Sequence, residues 1–194
     1  MTDSDIQWFV MRDLTHYHSK SPAYKMLDGM KIENFTPMVQ KLITWNGKRE
    51  RVEVPFIHDL LFVHDSRLTL DPIVEKVPTF QYRYLRDGKR TPMTVREADM
   101  ERFKKAVETT DNHYFYTPKE VKPDMIGKKV RIVGGPLDGY EGNLQKMQGS
   151  RVKRLFVELP NLLTAAVEVQ PEFIQIVKKK TLHIQLHYGH CSRF

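Results

Sequence analysis

Apolar residues along this chain occur in short runs, some continuous and some alternating, and in a few stretches with helical spacing. Strands and helices are therefore both expected. Gln7-Trp8-Phe9-Val10-Met11 is aromatic and β-branched and reads as a buried strand near the start of a domain. Ser21-Pro22 offers an N-cap followed by proline at the first helical position, and Ala23, Met26, Leu27 and Met30 follow at helical spacing, with Gly29 as a stop. From Ile32 to Ile43 the chain has extended character. Asn46-Gly47 is a two-residue hairpin turn, and Arg49 to Val54 returns as the partner strand of a protruding, polar hairpin.

Leu60-Leu61-Phe62-Val63, bounded by Asp59 and His64, is a continuous apolar run suited to a central strand. A helix is expected over Leu68 to Val77, with Pro72 limiting where it begins. Gln81 to Leu85 then pairs through Asp87-Gly88 with Lys89 to Met93. Thr94 and Glu97 form a capping box, and Met100, Phe103, Ala106 and Val107 continue it as an amphipathic helix ending near Glu108. Residues 1–117 thus predict β-α-β-β-β-α-β-α, an α+β domain in which helices flank an antiparallel sheet.

Two prolines and four charged residues without apolar periodicity make 118–124 a linker. Across 125–177 short alternating strands (Lys129 to Val133, Gly142 to Met147, Val152 to Leu159, Ala165 to Val169) are separated by glycine, proline or polar turns, a pattern that suits a small β-barrel. Residues 178–194 form a basic tail whose apolar residues have no clear partner, expected to be flexible or loosely docked.

With 194 residues, 40% of them hydrophobic, the chain can hold two small domains, each with a core. No run approaches the roughly 18 apolar residues of a membrane span, and Met1 to Asp5 is acidic, unlike a leader. A cytoplasmic protein without a membrane partner is expected. The single cysteine, Cys191, excludes an internal disulfide and a thiolate zinc cage. Net charge is +7, but residues 1–117 carry 18 basic and 17 acidic side chains while 118–194 carry 13 and 7. Lys178, Lys179, Lys180 and Arg193 supply much of the C-terminal excess, so total charge argues only weakly for nucleic acid.

Enzyme chemistry finds little footing. No phosphate-binding glycine loop, nucleophile elbow or metalloprotease helix is present, and the carboxylates are dispersed. His183, His187, His190 and Cys191 have metal-like spacing but no carboxylate to orient them, so neither metal nor cofactor is expected.

Gly127-Lys128-Lys129-Val130-Arg131-Ile132-Val133, followed by Gly134-Gly135-Pro136-Leu137-Asp138-Gly139-Tyr140-Glu141-Gly142, resembles the KOW motif of NusG-type proteins. Val130 and Ile132 alternate toward a core, while Gly135, Gly139 and Gly142 permit positive φ or close backbone approach. KOW barrels occur in ribosomal proteins as well. The first domain separates these possibilities: Gln7-Trp8-Phe9-Val10, Phe35-Thr36-Pro37 and Val54-Pro55-Phe56-Ile57-His58-Asp59-Leu60-Leu61-Phe62-Val63-His64 together resemble a NusG N-terminal domain. The Pro55 to His64 stretch is similar to the UpxY branch, antiterminators of capsular polysaccharide operons. The resemblance covers residues 6–177 and departs from the general pattern at Asp59-Leu60, where a Gly-Tyr pair is usual, and at Pro72.

The resemblance implies an N-terminal domain joined by the linker to an SH3-like KOW barrel, in a monomeric elongation factor. It would bind the clamp helices of RNA polymerase without catalysis. Trp8, Ile57 and Leu60 are candidates for an apolar docking patch, the alternative being ordinary core. The turn carrying His64 and Arg67 could touch the opposite side of the cleft, or simply end a strand. Arg12, Tyr17, His18, Lys20 and Lys25 interleave cations and aromatics as single-stranded, non-template DNA would require; a solvated loop is the alternative. Lys146, Arg151, Lys153 and Arg154 are a solvated hairpin or a contact for nascent RNA. Phe156 and Leu163 are exposed anchors for a ribosomal protein or Rho, or core. The competing function is a KOW-type RNA- or ribosome-binding module.

Overall fold

The computed structural model of the chain describes residues 5–16, 21–45, 48–110, 113–147, 149 and 151–177. Its first part runs β1 (Gln7–Asp13), α1 (Ala23–Gly29), β2 (Glu33–Phe35), β3 (Met38–Trp45), β4 (Lys48–Pro55), β5 (Leu61–Asp65), α2 (Arg67–Lys76), β6 (Phe80–Tyr82), β7 (Thr94–Val95) and α3 (Glu97–Glu108). The remainder runs β8 (His113–Tyr116), β9 (Ile126–Ile132), β10 (Glu141–Gln145), β11 (Lys153–Leu159), β12 (Leu163–Val169) and β13 (Ile174–Ile176). The Asn46-Gly47 turn and the tail from Lys178 lie outside the described residues.

Every pairing is antiparallel. The first sheet has the order β2-β5-β1-β6, with β7 also pairing β1. Its two central strands are apolar on both faces because both faces are covered. Phe9, Met11, Leu61 and Val63 face Leu27 of α1 and Leu70 of α2, whereas Trp8, Val10 and Phe62 face Met100 and Phe103 of α3. The β3-β4 hairpin is a sheet of its own, in register from Met38–Pro55 to Trp45–Lys48.

The second sheet has the order β13-β9-β10-β11-β12-β8. Strand β8, which the sequence places in the first unit, pairs with β12 through Thr164–Tyr116 to Val167–His113. Phe115 on β8 reaches the ring of Phe103 at 6.1 Å and that of Phe56 at 5.5 Å. Helix α3 also packs against β11 and β12, so a single core runs from Trp8 through Phe103 to Leu155 and Val167.

Local capping differs from expectation. Pro22, not Ser21, stands at the N-cap of helix α1, and Asp13, buried at the end of β1, accepts the Ala23 N–H at 2.7 Å. Thr94 lies in β7 and caps nothing, while Glu97, freed from a capping box, is drawn to Trp8 and His64. Helix α2 begins at a Ser66 cap and accommodates Pro72 within it.

Candidate functional site

The strand-turn-strand segment from β4 to β5 and the neighbouring end of β1 bring most sequence-identified residues of the first unit together. Leu60 N–H donates to Ile57 C=O at 3.1 Å, closing the turn. Leu60 itself is only 2% exposed and Trp8 1%, so both are core here rather than parts of an open docking patch. The reason is period-two geometry: both point toward α3 on the covered face of a sheet apolar on both sides. Ile57 sits in the turn, half-buried against the same core.

Trp8 is held by several partners at once. Its ring stacks on His64 and lies 4.8 Å from Lys104 Nζ, and its indole N–H donates to Glu97 Oε1 at 3.2 Å. His64 contacts two carboxylates, Glu33 Oε2 at 2.8 Å from Nδ1 and Glu97 Oε2 at 3.0 Å from Nε2, and Lys104 Nζ donates to Glu33 Oε1 at 2.7 Å. The Lys104 hydrogen bond holds the Glu33 carboxyl below its ordinary pKa; partial burial opposes this and His64 reinforces it. Arg67 opens α2 and pairs with Asp71 at 3.0 Å, one helical turn on. Sequence reasoning missed Glu33, Glu97 and Lys104, which are remote from His64 in the chain.

Arg12 projects from β1, its side chain 44% exposed, and shares Asp59 Oδ2 with Arg83, each guanidinium at 3.2 Å. Arg83 was not foreseen; its proximity to Arg12 follows from β6 lying beside β1. Lys25 is exposed on α1, and Tyr17, His18 and Lys20 lie outside the described residues. Beside them, a cleft of about 180 Å³ is lined by Asp13, His16, Tyr24, Glu53 and His58 among others.

In the second unit Val130 and Ile132 are buried on β9. Gly135 and Gly139 take positive φ of 70° and 79°, in the turn where Pro136 is exposed. Gly142 is required for close approach, since a Cβ there would stand 2.5 Å from the Phe156 carbonyl oxygen. Phe156 and Leu163 are both buried, which corrects their reading as exposed anchors. Phe156 meets Tyr116 of β8 edge-on at 6.0 Å, and Leu163 pairs with Leu159 across the β11-β12 turn. Arg151 and Lys153 are exposed, whereas Arg154 lies over the Tyr114 ring at 4.4 Å.

Among the described residues no three His, Cys, Asp or Glu side chains converge as a metal site would need, and no helix is long and apolar enough to cross a membrane.

A family model described as "Transcription termination factor nusG" matches residues 6–104. A solved structure titled "Domain interaction in Thermotoga maritima NusG" is similar at 13% identity and a TM-score of 0.46, covering 91% of this chain and 100% of that one. A search of the curated proteins finds no match.

Proposed function

The chain belongs to the NusG family, and from that premise we propose that it is an elongation and antitermination factor acting on RNA polymerase, with one unit docking on the enzyme and the other recruiting a further factor. The observation that carries this reading is the family match over residues 6–104, the stretch that holds the first sheet and α3 up to Lys104.

Docking belongs to residues 1–117, on the clamp helices of the polymerase. Half-buried Ile57 in the β4-β5 turn supports this, because it presents apolar surface in a segment whose backbone is already fixed by the Leu60–Ile57 hydrogen bond. The Pro55 to His64 sequence favours an UpxY-type factor serving polysaccharide-biosynthesis operons. Residues 125–177 act as a KOW barrel, following the linker 118–124, and offer their exposed surface to a ribosomal protein or Rho. Exposed Lys25 and half-exposed Arg12, the latter paired to Asp59, face non-template DNA, and exposed Arg151 and Lys153 face nascent RNA.

Such a protein works without catalysis. It binds the elongating state of polymerase more tightly than the paused state, and about 1.4 kcal/mol of difference changes a pause equilibrium roughly tenfold. The test is single-round transcription on a template carrying a pause and a terminator, with and without the purified chain. Increased readthrough that saturates with protein supports the reading; unchanged pausing and termination at saturating protein refutes it.

A further inference from the structure

Residues 83–93 read Arg-Tyr-Leu-Arg-Asp-Gly-Lys-Arg-Thr-Pro-Met, four cations against one carboxylate. The segment folds as a tight hairpin between β6 and β7. Tyr84 bridges Pro92, Leu85 N–H donates to Thr91 C=O at 2.9 Å, and Met93 N–H donates to Arg83 C=O at 2.7 Å. The exposed carboxylate of Asp87 is held by the turn itself. It accepts the Lys89 backbone N–H at 2.9 Å and a bond from the Thr91 side chain, which holds its pKa below the ordinary value.

Asp87 offsets only one of the hairpin's four cations, and it does so while bonded to the turn rather than to a cationic side chain, so the segment keeps a net charge of +3. Arg86, Lys89 and Arg90 are exposed and, among the described residues, pair with no carboxylate. At the base, Arg83 and Arg12 share the single carboxylate of Asp59, leaving one further positive charge.

Tyr84 gives this charge a specific companion. It is 44% exposed, and behind it stands Tyr82 at 6.3 Å between centroids, fixed by donating its hydroxyl to Asp71 Oδ1 at 2.8 Å. Tyr82, Tyr84, Pro92 and Arg90 line an open cleft of about 290 Å³ together with residues of α2. An aromatic face held half-exposed beside a guanidinium is a platform for a planar, unsaturated ring, and cations that lack partners suit phosphates. A duplex keeps its base faces stacked internally, so only a strand with unpaired bases satisfies both features.

We infer that the 83–93 hairpin is a binding site for single-stranded nucleic acid, with Tyr84 stacking on a base and Arg86, Lys89 and Arg90 holding phosphates. The site is separate from Lys25, Arg151 and Lys153, and its operation does not depend on polymerase docking.

The test is fluorescence anisotropy of the full chain with labelled DNA and RNA single strands of about 12 nucleotides and with the matching DNA duplex, across a salt series. Both single strands are expected to bind more tightly than the duplex; preference between DNA and RNA identifies the physiological strand. Charge reversal at Arg86, Lys89 and Arg90 together should weaken binding at least tenfold and lower the salt slope by about 2. Tyr84→Ala should weaken it between about 5-fold and 100-fold, while Tyr84→Phe, which keeps the ring, stays near wild type. Circular dichroism and melting checks that each variant is folded. The inference is overturned if folded charge-reversal and Tyr84→Ala variants bind as the wild type does, or if duplex binds as well as single strand. It is equally overturned if no oligonucleotide binds; loss of purified-polymerase capture on the same substitutions would then assign the hairpin to an acidic protein surface.

Discussion

The imidazole of His64 lies flat on the indole of Trp8, with ring centroids 4.8 Å apart and planes 10° from parallel. This stack, with Lys104 on the ring and Glu97 on the indole N–H, makes Trp8 a structural residue. Trp8→Ala should cost about 3–5 kcal/mol, as a fully buried large aromatic does. Trp8→Phe keeps most of the apolar burial and loses the hydrogen bond, roughly 1 kcal/mol. Urea denaturation of both variants measures this. A Trp8→Ala chain of wild-type stability that fails to bind polymerase would instead make Trp8 a docking residue.

Glu33 connects the same cluster to pH. Its folded pKa is depressed, chiefly by the Lys104 hydrogen bond, so the stabilisation it provides is complete above its unfolded value near 4.5 and is lost as pH falls below that through the folded value. The side chain is half-exposed, which keeps the effect small. Melting temperature followed from pH 7 downward should decline in the acid range, and Glu33→Gln should flatten part of that decline. An identical acid profile for wild type and Glu33→Gln would show that the carboxylate contributes nothing.

Glycines 29 and 142 should respond oppositely to alanine. At Gly142 the added Cβ would press on backbone, 2.5 Å from the Phe156 carbonyl oxygen, so β10 and β11 would have to separate and stability should fall by about 1–3 kcal/mol. At Gly29 nothing lies within 4 Å and the backbone is not left-handed, so alanine should be neutral or add up to about 1 kcal/mol. Thermal melts of the two variants decide it.

Tyr140 ties the two sheets together through α3. Its hydroxyl donates to Arg102 C=O at 3.0 Å, and the Arg102 guanidinium lies 5.1 Å from the ring centroid. Together with the continuous core this predicts one cooperative unfolding transition, with Tyr140→Phe lowering stability by about 1 kcal/mol. Calorimetry resolving two well-separated transitions in the wild type would contradict the shared core.

What could be read in the sequence was whatever the local pattern determines. The Trp8 and Phe62 strands were visible because strands buried on both faces are apolar at consecutive positions, and α3 because Met100, Phe103, Ala106 and Val107 repeat at helical spacing. Strand β8 was missed because its four residues acquire a partner only in β12, some fifty positions away. Nonlocal contacts also decided the helix starts: Asp13 accepts the first free N–H of α1, whose N-cap is Pro22, and Trp8 and His64 claimed Glu97. At the candidate site, Arg12, Lys25 and Ile57 kept accessible surface, whereas Trp8, Leu60, Phe156 and Leu163 did not. An apolar side chain looks the same in sequence whether it anchors a partner or fills a core.

The most direct measurement is co-purification of the tagged full-length chain with RNA polymerase, comparing wild type with a folded Ile57→Glu variant. The account predicts that wild type retains polymerase and that the charge placed in the β4-β5 turn weakens retention by tenfold or more, about 1.4 kcal/mol. Failure of the wild-type chain to retain polymerase would contradict the central claim, and equal retention by both chains would remove the β4-β5 turn from the docking surface.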